Sequence, residues 1–141
     1  MAVMLVLDIG YSYRFYDKIF TENKTHDAFV ACLLDDNGNE NSIVGYLMLE
    51  LGNRNTPSYI QALFVEEAYR KRGIAKQLIC EAENYSKSLG CKYITAFARS
   101  HLLRFYGKFG FSITGKKNDW TYHISKCLER DRQQEDDELE L

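Results

Sequence analysis

The sequence predicts an α/β fold, a single domain in which a central, mixed but mostly antiparallel sheet is flanked by helices. Three observations carry this prediction. Short apolar runs have the character of strands, and one long segment repeats its apolar residues at the helical period. The third observation, beside the apolar runs and the helical period, is the length of 141 residues with 45% apolar content. This size suits one domain with one sizeable core. We expect this domain to span residues 1–128 and the acidic residues 129–141 to form a disordered tail.

The amino-terminal region predicts one strand and one helix. Residues 4–8 are a short apolar run, which favours a strand. Between residues 11 and 20 the apolar side chains recur three or four positions apart, which favours a helix reaching to about residue 23. The recurring residues are Tyr13, Tyr16, Ile19 and Phe20. This aromatic stretch could also serve as a dimer or partner surface.

A hairpin is predicted next. Residues 26–34 and 43–51 are strand-like runs separated by a polar loop, and the loop contains Asn37-Gly38, a strong signal for a hairpin turn. The remaining elements follow in chain order. They are a strand over residues 59–65, a helix over 73–89 stopped by Gly90, a strand over 93–98, a short helix over 102–109 closed by Gly110, and a last strand over 119–125.

Charge and cysteine usage exclude several classes of protein. The net charge of -2 shows no general bias toward nucleic acid or membranes, although residues 1–128 alone carry 16 basic and 13 acidic residues. No apolar stretch is long enough to span a bilayer, and residues 1–7 lack the features of a signal peptide. The four cysteines have no CxxC spacing, and His101 and His123 have no ligand spacing. We therefore expect a cytoplasmic protein without a metal.

The most informative stretch is YRKRGIAKQL, residues 69–78, which lies between a predicted strand and the long predicted helix. The first turn of a helix has unpaired N–H groups and a partial positive charge. Small residues at Gly73 and Ala75 would let a pyrophosphate approach the main chain. A solvated basic loop is the alternative interpretation. The patterns of the Walker A loop and of the dinucleotide-binding fold are both absent.

This stretch resembles the acetyl-CoA signature of the GNAT superfamily of N-acetyltransferases, through Arg70-x-x-Gly73-x-Ala75. Two flanking segments are also similar to that family. Upstream, a strand ends in Leu63-x-Val65, and downstream a helix carrying Tyr106 ends in Gly110-Phe111. The resemblance covers residues 43–125 well and the first 40 residues only by the order of elements.

The resemblance implies a GNAT-like domain whose sheet splays between residues 60–65 and 93–98, with the pantetheine arm of acetyl-CoA in the gap. The main chain of residues 63–65 would then bind the arm and the thioester oxygen, and the amides of residues 70–76 would hold the pyrophosphate. The implied cofactor-binding residues are Leu63, Phe64, Val65, Arg70, Lys71, Arg72, Gly73, Ile74, Ala75, Lys76, Arg99 and Ser100. Arg99 stands where the family usually has asparagine, and Ser100 is an alternative contact.

By the same resemblance, Tyr106 would be the general acid that protonates the departing CoA thiolate; packing is its alternative role. Many family members carry a glutamate base early in the central strand, where this chain has Tyr59-Ile60-Gln61. Glu50 is the best substitute, although a surface acid at a strand end is the preferred interpretation of this residue, and the base stays unassigned.

The expected activity is direct transfer of the acetyl group of acetyl-CoA to an amine. Candidate acceptors are a protein lysine, an amino terminus or a small-molecule amine. Because the predicted segment between the first strand and the hairpin is short, we expect an open cleft that suits a protein. The competing hypothesis is a non-catalytic module that binds CoA or another protein. Nucleic-acid binding through Arg70, Lys71, Arg72, Lys116 and Lys117 is the least favoured, since no groove-reading motif is present.

Overall fold

The computed structural model describes the backbone of residues 2–6, 11–17 and 26–128, and the side chains of residues 26–128. The tail predicted over residues 129–141 lies outside the described residues.

The chain comprises two compact units. The first is formed by Met1–Leu51 and Ile60–Ala82, and the second by Gly52–Tyr59 and Glu83–Leu141.

The first unit is built around strands that neighbour one another in chain order, and the first four of them pair antiparallel. The strands are β1 (Ala2–Val6), β2 (Tyr11–Asp17), β3 (His26–Leu34), β4 (Glu40–Glu50) and β5 (Ser58–Val65). Of β5, only the residues from Ile60 onward belong to this unit. The predicted hairpin is confirmed as β3 and β4. Its turn is fixed by Asp35, whose Oδ1 accepts hydrogen bonds from the main-chain N–H groups of Asn37 and Asn39, both at 2.9 Å.

The prediction of a helix over residues 11–20 is wrong over Tyr11–Asp17, which form β2. The aromatic residues Tyr11, Tyr13 and Phe15 also repeat at the strand period of two, and aromatic side chains favour strands. Pairing with β1 on one side and β3 on the other decides between the two periods. Residues 18–23 of the predicted helix lie outside the described residues. The first strand, predicted over residues 4–8, is Ala2–Val6, and residues 7 and 8 are not described.

The long helix is confirmed as α1 (Ile74–Ser88). In the first unit it buries Ile74, Leu78 and Ile79 almost completely, as the helical period requires. Gly45 on β4 allows close packing at this point. A Cβ at Gly45 would lie 3.1 Å from the main-chain oxygen of Phe64 and 3.3 Å from Cγ2 of Ile74. The absence of a side chain at Gly45 therefore lets the end of β5 and the start of α1 come close to β4.

The second unit carries β6 (Tyr93–Arg99), β7 (Ser112–Lys116) and β8 (Thr121–Cys127), in the spatial order β6, β8, β7 and all antiparallel. A 3-10 turn, Ser100–Leu102, leads into the short helix α2 (Leu103–Gly107). The predicted helix over residues 102–109 is therefore shorter than expected. The predicted last strand begins at Thr121 rather than at residue 119.

Strand β7 was not predicted, because it is short, largely exposed and contains only one large apolar residue, Ile113. The second half of α1 is tied to β8 by an ion pair between Glu83 and Lys126, with Nζ and Oε1 at 2.8 Å. Gly90 has a φ of 85°, and its N–H donates to the carbonyl of Lys87. This left-handed glycine ends α1 as predicted.

Candidate functional site

The loop between β5 and α1 is held by hydrogen bonds within the first unit. The N–H of Glu66 donates to the carbonyl of Val44 at 2.8 Å. The Nε–H of Arg70 donates to the carbonyl of Val65, also at 2.8 Å. Arg70 therefore closes the loop onto the end of β5.

Two residues of this loop have left-handed backbones, Lys71 with a φ of 64° and Gly73 with a φ of 86°. Gly73 directly precedes α1, and its carbonyl accepts the N–H of Gln77 at 3.0 Å. A Cβ at Gly73 would meet no atom within 4 Å. The space in front of the main chain is therefore open, and the positive φ itself favours glycine.

The electrostatics of this loop suit an anion. The first N–H groups of α1 have no partners within the helix, and the first turn of α1 carries no acidic side chain. Lys71, Arg72 and Lys76 are exposed around it. The guanidinium of Arg72 lies 5.6 Å from the ring centroid of Tyr69, which limits its positions. These features favour a loop that binds a pyrophosphate over the alternative of a basic loop that is only solvated.

The end of β5 presents main chain beside this loop. Leu63 is half-buried, Phe64 is exposed with its ring centroid 5.7 Å from that of Tyr46, and Val65 is buried. The structure thus brings together, within the first unit, the predicted cofactor-binding residues 63–65 and 70–76.

Tyr106 lies on α2 in the second unit and is only 7% exposed. Its ring makes edge contacts with Phe105 and Phe111, at centroid distances of 5.1 and 5.5 Å. Burial raises the pKa of the Tyr106 phenol above the usual value for tyrosine. The side chain therefore packs in the core of the second unit and also keeps its proton beyond neutral pH, as a proton donor must.

Arg99 and Ser100 lie where β6 leaves the sheet for α2. Arg99 is exposed and pairs with Thr121 of β8. The N–H of Ser100 donates to the carbonyl of Trp120 at 2.8 Å. The second unit thus groups Arg99, Ser100 and Tyr106 around one turn and one short helix. The predicted splay between residues 60–65 and 93–98 involves both units and stays a prediction.

A polar contact in the first unit was missed from the sequence. The side-chain amide of Gln61 on β5 lies 2.9 Å from Nε2 of His26 on β3, and its N–H can donate to that ring nitrogen. Glu50, the substitute base considered above, is the last residue of β4 and stands opposite His26. Directly opposed side chains of an antiparallel pair lie about 5 Å apart at Cβ. His26 therefore has Gln61 within hydrogen-bond distance and Glu50 opposite it on β4.

The cysteines of residues 26–128 are all free thiols, Cys32 and Cys91 buried, Cys80 half-buried and Cys127 exposed. Cys91 is buried, with its sulfur 3.3 Å from the hydroxyl of Ser58. In this part of the chain no three His, Cys, Asp or Glu side chains converge on a point where a metal ion could bind. Neither helix within it has the length and apolar character needed to cross a bilayer.

Comparison with known proteins defines the class. The sequence profile of the Acetyltransferase (GNAT) family matches residues 6–111, and the chain therefore belongs to this family. An acetyltransferase from Agrobacterium fabrum is 33% identical over 98 residues, which cover 68% of this chain and 66% of that protein.

Solved structures show the same fold. The PaiA N-acetyltransferase of Thermoplasma acidophilum, in complex with coenzyme A, matches with a TM-score of 0.62 and 20% identity, over 76% of this chain and 64% of its own. The NatC complex bound to Gag peptide and CoA matches with a TM-score of 0.59 and 24% identity, over 71% of this chain and 70% of its own. The chain spans just under two thirds of the Agrobacterium and Thermoplasma proteins. These matches confirm the predicted family and fold class.

Proposed function

We propose that the chain transfers the acetyl group of acetyl-CoA to an amine, with a protein lysine or a protein amino terminus as acceptor. The observation that carries the proposal is the open loop before α1, where Gly73 leaves the main chain accessible and three cations flank an acid-free helix start. Membership in the GNAT family supports the same activity.

The residues of this loop would hold acetyl-CoA by its pyrophosphate, and the main chain of residues 63–65 would receive the pantetheine arm. Arg70 would act indirectly, since its Nε–H is already bonded to Val65. Arg99 and Ser100 are further candidates for contact. When bound, acetyl-CoA supplies a thioester that is already activated toward a neutral amine, so no protein nucleophile is needed. Main-chain N–H groups directed at the thioester oxygen are typically worth about 3 kcal/mol.

Tyr106 would give its proton to the departing thiolate. Reference pKa values of about 8.5 for a thiol and 10 for a phenol make this transfer uphill by roughly 2 kcal/mol. Burial of Tyr106 raises its pKa and increases that cost. A fixed position can offset the cost, because general acid catalysis contributes about 100-fold or more when donor and leaving group are aligned.

The acceptor must lose a proton before it attacks. A lysine amine is neutral in only about one molecule in 2,500 at pH 7, whereas a chain α-amine of pKa about 7.7 to 8.0 is far more often neutral. No carboxylate stands at residues 59–61, and Gln61 instead contacts His26. A protein amino terminus is therefore the acceptor that depends least on a catalytic base in this site. Tyr11–Asp17 form a strand instead of the predicted helix, so a short helical cover gives no support to a protein acceptor.

Titration calorimetry with acetyl-CoA tests the proposal, using the unaltered protein and two variants at one position. Gly73→Glu places a carboxylate in the open space, whereas Gly73→Asn tolerates the left-handed backbone without adding charge. We expect micromolar binding by the unaltered protein, near-normal binding by the asparagine variant and none by the glutamate variant. An acceptor screen that follows thiol release would then compare lysine peptides, peptide amino termini and small amines.

The outcomes are distinct. Absence of acetyl-CoA binding would overturn the proposal and favour a module that works through protein contacts. Binding without turnover on any amine would favour a CoA-binding module. We also propose that residues 1–128 form the acetyltransferase domain, so that ending the chain after Leu128 leaves acetyl-CoA binding unchanged.

A further inference from the structure

We propose that the face of Phe97 is a subsite for the ammonium group of the amine acceptor, and that Lys117 occupies this subsite until the acceptor displaces it. The inference rests on the proposed function, because it assigns a binding group to the amine that is acetylated.

Phe97 is an outward-facing residue of β6 in the second unit, and it is 41% exposed. Its ring stands between two aromatic neighbours. The ring centroid of Tyr59 lies 5.7 Å away at an interplanar angle of 78°, and that of His123 lies 5.2 Å away at 64°. Both are edge-to-face arrangements, which hold the Phe97 ring in one orientation.

The neighbouring strand supports this arrangement. His123 pairs directly with Phe97 across β6 and β8. The hydroxyl of Thr114 on β7 contacts Nδ1 of His123, which restrains the imidazole ring. Three strands and a side-chain hydrogen bond therefore build a platform with one exposed aromatic ring.

The chain places its own ammonium on this platform. Nζ of Lys117 lies 4.7 Å from the centroid of Phe97, within the distance at which a cation is attracted by an aromatic face. Lys117 follows β7, and its main-chain N–H donates to the carbonyl of Thr121 at 2.9 Å. The backbone is anchored while the exposed side chain has a long flexible stem, so the ammonium can leave without unfolding the turn.

Lys117 carries the same chemical group as a lysine acceptor. Two ammonium groups repel each other and cannot share one ring face, so the acceptor must displace Lys117. The subsite should affect KM more than kcat, because the acceptor is held as its cation and must lose its proton before the transfer. Tyr59 belongs to β5, the strand whose other end carries the proposed main-chain contacts at residues 63–65.

A binding experiment without acetyl-CoA tests the subsite itself. The ring current of Phe97 should shift the Cε protons of Lys117 upfield in the NMR spectrum. The signal is assigned by its loss in Lys117→Gln and should return to the ordinary lysine position in Phe97→Leu. Titration with Nα-acetyl-lysine amide should reverse the shift, and titration with neutral Nα-acetyl-norleucine amide should not. No upfield lysine signal, or equal effects of the two compounds, would overturn the inference.

Kinetics with a lysine peptide that the unaltered protein acetylates provide the second test. Lys117→Gln should lower KM for the peptide about two- to five-fold and Phe97→Leu should raise it by a similar factor, the range of one exposed cation–π contact. Lys116→Gln controls for general charge repulsion, because Nζ of Lys116 instead lies 3.6 Å from Asp119. Equal effects of the Lys116 and Lys117 variants would overturn the inference. If the unaltered protein acetylates no amine, the proposed function fails, while the NMR titration still decides whether the platform binds an ammonium.

Discussion

Nε of Arg70 and the carbonyl oxygen of Val65 are joined by a hydrogen bond of 2.8 Å. The first residue of the signature Arg70-x-x-Gly73-x-Ala75 thus fixes the loop between β5 and α1 from within. This contact shapes the loop that we propose binds the pyrophosphate, and the proposed ligand contacts are the loop amides and the exposed cations.

Replacing Arg70 by methionine removes that donor and keeps an unbranched side chain that is nearly as long. We expect acetyl-CoA binding to weaken about ten-fold and the free energy of unfolding to fall by about 1 kcal/mol, the usual worth of one hydrogen bond. Calorimetry and urea denaturation measure the two effects. Arg70→Gln is the matched control, since its amide can still donate to Val65 and should retain most of the binding. Equal weakening in both variants would mean that the guanidinium contacts the ligand directly.

Tyr106→Phe removes the proposed proton donor and keeps the ring that packs against Phe105 and Phe111. We expect kcat to fall about 100-fold, within the range of general acid catalysis, with little change in acetyl-CoA affinity. Steady-state kinetics and calorimetry provide the two values. Tyr93→Phe, at an exposed position on β6, should change neither. An unaltered kcat in the Tyr106 variant would remove this residue from the mechanism.

The raised pKa of Tyr106 has a consequence for stability at alkaline pH. Below about pH 10, the ordinary pKa of tyrosine, the phenol is protonated in both the folded and the unfolded chain. Above that pH the unfolded chain releases the proton first, so the free energy of unfolding falls as the pH rises toward the pKa of the folded state. Urea denaturation at pH 9 and at pH values above 10 should show a steeper loss for the unaltered protein than for Tyr106→Phe. Parallel curves would contradict the burial of the phenol.

Gly90 and Gly107 should respond oppositely to alanine. Gly90 has a φ of 85°, and a Cβ there would lie 3.1 Å from Cγ of Arg54. A left-handed backbone costs a non-glycine residue about 1 to 2 kcal/mol. Gly107 is the last residue of α2, and a Cβ there would meet no atom within 4 Å. We therefore expect Gly90→Ala to lower the free energy of unfolding by about 1 to 2 kcal/mol, and Gly107→Ala to leave it unchanged or raise it by up to about 1 kcal/mol. Denaturant titration of both variants checks this contrast.

The elements that were predicted correctly have local signals in the sequence. Asn37-Gly38 predicts the turn between β3 and β4, and Gly90 the end of α1. One error arose where a local pattern fits two structures, and the other where a strand has no local pattern. The aromatic residues of Tyr11–Asp17 satisfy both a helical and a strand period, and only pairing with β1 and β3 decides. Strand β7 lacks the apolar residues of a strand and is defined by its pairing with β8.

The candidate site likewise contains residues that could be predicted from a local motif and contacts that could not. Residues 70–76 could be proposed from one short motif, because the loop and the helix start that they form are contiguous in sequence. The contact between His26 and Gln61 and the aromatic platform around Phe97 could not be found, because each joins side chains from separate strands. The order and register of the strands bring these side chains together. The spacing of residues within one segment predicts neither the order nor the register.

Gly45 faces the main chain of β5 at the residues assigned to the pantetheine arm. A methyl group at Gly45 would stand 3.1 Å from the oxygen of Phe64, and a backbone oxygen cannot move aside as the end of a side chain can. Replacement would force this strand, which we propose binds the pantetheine arm, to shift by a few tenths of an ångström although the new side chain never reaches a substrate. In a genetic screen for alleles of reduced activity, Gly45 should therefore be recovered together with residues that contact the ligand.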